Sequence, residues 1–362
     1  LLHLLLLAAL PAFNQSRDTL RKYLNENLEL TSRNKASYAA LALKDGDHWL
    51  LYAVYTDNNP LLKMYFADKE LTDRDGPFQL YYQNNRLAAS GYFLHNQKNG
   101  VWRQWHENGQ LNDSGLVAND KTTGGWKWWF ENGALYRDIH FMETDSLPES
   151  TGDLSTDTKM PGLIGGHPQL SLLHGLWTEY YEKGGTKTRG TYRRGKKTGY
   201  WENSYPDGKK ESQGYYEEDL QEGAWEYFHA NGRISTRESY RQNKLTGMEC
   251  YDEQGTRTGD FCSIQKPAVP LLEAHEDFNN YMLDHLFWPK ELEGKEVNGM
   301  VKLDYTVSKE GKLTQLNIRE SPHELISKEV ERFFHSIEAW SPAMSHNRPI
   351  DFTAKMEIPF LR

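Results

Sequence analysis

Few residues of this chain are of types and spacings that could do chemistry. His275 stands beside Glu273, Glu276 and Asp277, an imidazole-and-carboxylate set of the kind that holds a divalent metal. The same run is also what the start of a helix collects against its dipole, and that reading fits better, so no metal is expected. Gly162-Leu-Ile-Gly165-Gly166 is too irregular to cradle a phosphate, and the sequence has no Gly-x-Ser-x-Gly elbow, His-Glu-x-x-His pair or Cys cluster. Neither a catalytic residue nor a cofactor is expected, and the chain reads as a protein that is not an enzyme. Cys250 and Cys262, the two cysteines, flank a turn; they could pair in an exported protein, or they could be two small buried thiols. What remains is recognition by rings. The 11 Trp and 21 Tyr could stack on a glycan or a lipid, but they follow a structural period, and sheet packing explains them better.

The period is 24 residues. Phe78, Trp102 and Trp126 follow it, as do Trp177, Trp201 and Trp225, with Glu249 at the next position. Two residues before each sits a glycine: Gly76, Gly100, Gly124, Gly175, Gly199, Gly223 and Gly247. A second aromatic follows three residues later in most copies, as at Trp105. Turn pairs come next, at Asn108-Gly109, Asn132-Gly133, Asp207-Gly208 and Asn231-Gly232. An Asn-Gly pair between aromatic segments predicts a hairpin with a two-residue type I′ loop. Counting outward from those loops sets Gly91 opposite Phe78, Gly115 opposite Trp102, Gly190 opposite Trp177 and Gly214 opposite Trp201, with the ring covering its facing glycine. A second turn former precedes each repeat, at Asn96, Asp120, Gly195, Asp219 and Asn243, and predicts a longer, bulged loop. The fold class is therefore mainly β: an antiparallel meander that grows by one hairpin per repeat.

Gly100-Val-Trp102-Arg-Gln-Trp105-His-Glu-Asn108-Gly109-Gln-Leu111 and Gly223-Ala-Trp225-Glu-Tyr-Phe228-His-Ala-Asn231-Gly232-Arg-Ile234 resemble MORN-variant repeats of the YwqK-like kind. The resemblance implies scaffolding, protein contacts and in some cases lipid contacts.

The domain plan follows from where this pattern starts and stops. Residues 1–14 are a Leu-rich apolar run that reads as a signal peptide, truncated at its start, or an anchor remnant; membrane association is expected only if it stays uncleaved. Residues 15–75 form a β region of degenerate repeats, with strands at Leu28–Thr31, Tyr38–Leu43 and Trp49–Tyr55 and a turn at Asp57–Pro60. Repeat blocks span 76–140 and 173–259, separated by an inserted polar loop at 141–172. A linker at 260–273 leads to a different module at 274–362. The net charge of −9 argues against nucleic acid as the main partner, while leaving room for one local basic patch.

In the last module Phe278, Tyr281, Met282, His285 and Leu286 have helical spacing, Val301 to Val307 alternate as a strand, and Ser308–Gly311 turns into a partner strand with Leu316 and Ile318. Ile326, Val330, Phe333 and Ile337 mark a second helix. Ile350, Asp351, Phe352, Thr353, Ala354, Lys355, Met356, Glu357 and Ile358 alternate as a half-buried final strand. The order α-β-β-α-β is a small α+β domain.

Asn298–Val307, the Glu310-Gly311 turn, Trp340-Ser-Pro342-Ala and Asn347–Ile358 resemble the C-terminal domain of TonB-type energy transducers. The resemblance implies a periplasmic domain that captures an extended segment of an outer-membrane TonB-dependent receptor beside its last strand, Ile350–Ile358, in support of energy-coupled transmembrane transport. The Pro/Lys-rich spacer usual in such proteins is missing, and the repeat array takes its place. The alternative is a structural cell-envelope scaffold whose repeats bind a protein or lipid, with no part in transport.

Overall fold

A computed structural model describes residues 19–142, 172–260, 262, 265–272 and 277–361. The apolar start, most of the 141–172 insertion with Gly162–Gly166, and Glu273, His275 and Glu276 lie outside the described residues. The chain divides into two compact units, Leu1–Gln221 and Glu222–Arg362.

The first unit opens with β1 (Thr19–Leu24), β2 (Tyr38–Asp45), β3 (His48–Val54) and β4 (Pro60–Phe66). The repeats follow as hairpins: β5 (Arg74–Tyr81) with β6 (Leu87–Leu94), β7 (Gln97–Trp105) with β8 (Leu111–Ala118), and β9 (Lys121–Trp129) with β10 (Leu135–Phe141). Then come β11 (Leu173–Tyr180) with β12 (Thr186–Arg193), and β13 (Lys196–Ser204) with β14 (Lys210–Glu217). Each strand pairs antiparallel with the next. Leu28–Thr31 is not a strand: Leu28 lies in a turn at φ 57, and Leu30 makes only a lone bridge to Leu24. Phe78, Trp102 and Trp126 line one buried face with Phe93, Val117 and Ile139, so the ring period is the core period.

The two turn types are the reverse of the sequence expectation. His95-Asn96, Asn119-Asp120, Arg194-Gly195 and Gln242-Asn243 have positive φ at both residues. They join pairs such as Leu94↔Gln97 and Ala118↔Lys121, which is the two-residue I′ connection. At Asn108-Gly109 only the glycine is left-handed, at φ 92. His106 N donates to Gln110 O and Gly109 N to His106 O, both at 2.8 Å, and close this loop with three residues between His106 and Gln110. The physical reason is a competing side-chain bond: Asn108 Oδ1 accepts from Gln110 N at 2.8 Å, and its Nδ2 donates to Glu131 O of the next hairpin at 2.6 Å. A bulge between Gln104 and Trp105 then restores the register, so Trp102 still faces Gly115.

Phe78↔Gly91, Trp177↔Gly190 and Trp201↔Gly214 face each other in the same way. Over Gly91, Gly115 and Gly190 the ring nevertheless comes from the following repeat. A Cβ on Gly115 would lie 2.1 Å from the Trp126 ring, and one on Gly91 would lie 2.3 Å from Trp102. The glycine leaves room for the next tryptophan; its facing ring does not cover it.

The second unit holds β15 (Leu220–Phe228) from Glu222 onward, β16 (Ile234–Arg241), β17 (Lys244–Tyr251) and β18 (Arg257–Gly259). After these come β19 (Gln265–Lys266), β20 (Val269–Pro270), α1 (Phe278–His285), β21 (Gly299–Val307), β22 (Leu313–Glu320) and α2 (Glu324–Ser336). The chain ends with β23 (Trp340–Ser341), β24 (Ala343–Ser345), β25 (Arg348–Ile350) and β26 (Phe352–Phe360). The unit boundary falls inside the second repeat block and not at 260–273. Two observations explain this. The expected linker is itself paired, β19 to β24 and β20 to β23. In addition, Cys250 and Cys262 are joined by a disulfide with Cα atoms 6.0 Å apart.

Candidate functional site

The C-terminal sheet runs β22-β21-β26. Alternation on β21 buries Val301, Leu303, Tyr305 and Val307 against Ile326, Val330, Phe333 and Phe334 of α2. Register then places Phe352, Ala354, Met356 and Ile358 of β26 opposite those four β21 residues. Thr353, Lys355 and Glu357 are exposed between them. Along its other edge β26 pairs with no described strand, so a row of backbone donors and acceptors is presented there.

The expected binding strand Ile350–Ile358 is divided in the structure. Ile350 belongs to β25 and faces Ala343. Asp351 lies between strands because its Oδ1 accepts from Lys309 N at 2.8 Å, which draws it to the Ser308–Gly311 turn. The continuous edge is Phe352–Phe360. Asp277, the one described member of the set around His275, caps α1 by accepting from Asn279 N at 2.9 Å. Among the described residues no group of three or more His, Cys, Asp or Glu could hold a metal.

The tip of the β24–β25 hairpin is a feature that sequence reasoning missed. His346 and Asn347 both have positive φ and close Ser345 onto Arg348, the same I′ geometry as in the repeats. This tip sits on the last hairpins of the array. His346 Nδ1 donates to Glu238 Oε1 at 2.8 Å, and its ring stacks on Tyr227 with centroids 3.5 Å apart. Asn347 Nδ2 donates to Tyr251 O at 3.0 Å, and Arg348 to Phe228 O at 3.2 Å. Glu238 has no exposed side-chain surface. Burial alone would push its carboxyl up. The bonds from His346, Tyr240 and Thr236 outweigh burial and hold it below its ordinary value of 4.5. The available signal was an Asn-containing pair between two short apolar segments, but nothing local names Glu238 as its partner.

The repeat residues serve architecture. Trp102, Trp126, Trp201 and Trp225 are almost fully buried, while Trp105 and Trp177 are partly so. Gly100, Gly124, Gly175, Gly199 and Gly223 all have positive φ. Gly109 and Gly232 supply the left-handed residue of their loops, and Asn231 Nδ2 repeats the bridge of Asn108, donating to Glu253 O at 2.8 Å.

Fold and site together define a hairpin-repeat protein that ends in a strand-presenting α+β domain. Residues 284–361 match the C-terminal domain of the Gram-negative bacterial TonB protein, and residues 98–115 and 173–194 match the MORN repeat variant. MORN-variant repeats joined to a TonB-type C-terminal domain are thus the architecture of this chain. Both families are non-catalytic binding or scaffold domains, and TonB C-terminal domains are a Gram-negative envelope family. They point to an envelope-associated binding or scaffold protein, and both are protein-interaction domains. No curated protein matches the chain. Among the described residues no helix is long and apolar enough to cross a membrane.

Proposed function

We propose that the chain is a periplasmic adaptor whose β26 captures an extended segment of an outer-membrane TonB-dependent receptor by strand addition. The observation that carries this reading is the outer edge of β26, which pairs with no described strand while its inner edge is held in register by β21. Backbone bonding along such an edge supplies affinity, and alternate side chains of the guest meet Thr353, Lys355 and Glu357 on the exposed face or the apolar face opposite. The repeat array would serve as the rigid spacer.

The test is calorimetric titration of the whole protein with peptides from the periplasmic end of such receptors. Binding is expected, together with its loss when alternate peptide amides are N-methylated, since methylation removes the donors and leaves side chains intact. A folded protein that binds no peptide at millimolar concentration sinks the proposal. A scaffold reading is favoured by the exposed cross-strand pair Val101 and Leu116 on the face away from the tryptophans. It predicts that a partner binds through the repeats whether or not β26 is blocked.

A further inference from the structure

The repeat carries its own control. A residue needed for the fold should recur every 24 positions, and one that breaks the period is free to do something else. The I′ turn before Trp201 breaks it strongly. It reads Arg193-Arg194-Gly195-Lys196-Lys197. The matching positions before Trp102 read Leu94-His95-Asn96-Gln97-Lys98, those before Trp126 read Ala118-Asn119-Asp120-Lys121-Thr122, and those before Trp225 read Glu217-Glu218-Asp219-Leu220-Gln221. Neutral and acidic versions of the same turn thus build the same connection, so the basic version is not a requirement of the fold.

Only Lys197 has a structural counterpart. Its Nζ sits 4.6 Å above the Trp201 ring, as that of Lys98 sits 5.0 Å above Trp102. Burial pushes the Lys197 ammonium down from its ordinary value, with nearby Asp219 partly offsetting it. Arg193, Arg194 and Lys196 are exposed; other copies carry a base at one or two of these turn positions, as at Lys98, Lys121, Arg241 and Lys244, but none carries all four. All four cations line one cavity of about 580 Å³ in the first unit. Glu218 is the one carboxylate lining it, and it is engaged with Lys196 at 3.1 Å. Among the described residues Arg193, Arg194 and Lys197 have no carboxylate at ion-pair distance. His174 and Thr198 complete the lining; His174 Nδ1 accepts from Arg194 N at 3.4 Å, which leaves Nε2–H as a further donor. A concentration of unpaired guanidinium and ammonium groups is costly in self-repulsion unless an anion joins it, and guanidinium forks match phosphate oxygens.

We propose that this cavity is an anion site for a phosphate-bearing ligand, held by Arg193, Arg194, Lys196 and Lys197. The proposal stands on observations separate from those behind strand capture by β26.

The test titrates the full chain with inorganic pyrophosphate at low ionic strength, and in parallel sediments it with phosphatidylglycerol–phosphatidylcholine vesicles. The decisive variant carries Arg193→Glu with Arg194→Glu, which installs the residue types that the following copy already uses at Glu217 and Glu218, so the turn keeps its fold. Lys196→Gln is a milder second variant, and Lys121→Gln alters the equivalent position of another copy as a control. Saturable pyrophosphate binding, weakened about tenfold or more by the double variant and by added salt but not by Lys121→Gln, identifies a soluble phosphate ligand. Variant-sensitive vesicle binding without pyrophosphate binding identifies a lipid headgroup. Absence of both, or binding indifferent to the Arg193, Arg194 and Lys196 changes, overturns the proposal.

Discussion

Asp113 shows how much a single residue can depend on its surroundings. It lies in β8, 2 % exposed; Gln104 Nε2 reaches its Oδ1 at 3.3 Å, and its Oδ2 has no partner among the described residues. Burial pushes the carboxyl up to about 7, with the Gln104 bond only partly offsetting it. A folded-state pKa above the unfolded one means that the native state holds the proton more tightly. Stability is therefore greatest in acid with respect to this group and falls as pH rises from about 4 through 7. Asp113→Asn should remove that loss. The variant is expected to be more stable than the parent at pH 8, by on the order of 4 kcal/mol, with the gap closing toward pH 4. Urea unfolding at the two pH values checks it; a gap that does not shrink in acid refutes the assignment.

At the scale of elements, the β24–β25 hairpin decides how the C-terminal domain joins the last repeats. His346→Ala leaves the buried Glu238 carboxylate without the His346 hydrogen bond, and leaving a buried charged group short of a partner costs roughly 2 kcal/mol. The pH dependence is opposite to that of Asp113. Glu238 is held below 4.5, so its contribution is fully present above that pH and is lost as pH falls through the lower folded-state value. A double-mutant cycle of His346→Ala and Glu238→Gln should show strong coupling at pH 7 and little in strong acid. Additivity at pH 7 would mean the joint does not hold the hairpin. The tip residues were legible in the sequence as a turn only, because their partners lie 108 and 96 positions away along the chain.

Across the whole molecule, the array behaves as a line of neighbours. Each glycine that admits a tryptophan does so for the following repeat, so damage should spread locally. Gly115→Ala would drive a methyl group into the Trp126 ring and is expected to cost about 2 kcal/mol or more. Hydrogen exchange should show faster opening of β7 to β10, with protection of β21 and β26 unchanged. Global loss of protection would contradict nearest-neighbour packing. The −9 net charge belongs to this scale too, and against it the basic turn at Arg193–Lys197 stands out.

The sequence by itself determined the repeat, its 24-residue period, the three strands of the C-terminal sheet and which glycine faces which ring. All of these rest on local periodicity and on counting across a hairpin. Tertiary structure alone decided which ring covers each glycine, which of two turns is the I′ type, and where Ile350–Ile358 divides. It also decided what His346 meets and that four cations share one cavity. These depend on the neighbouring hairpin or on residues far along the chain. Asn108 illustrates the reason: its Asn-Gly pair predicts a two-residue loop until Glu131 O, on the next hairpin, accepts its side-chain amide.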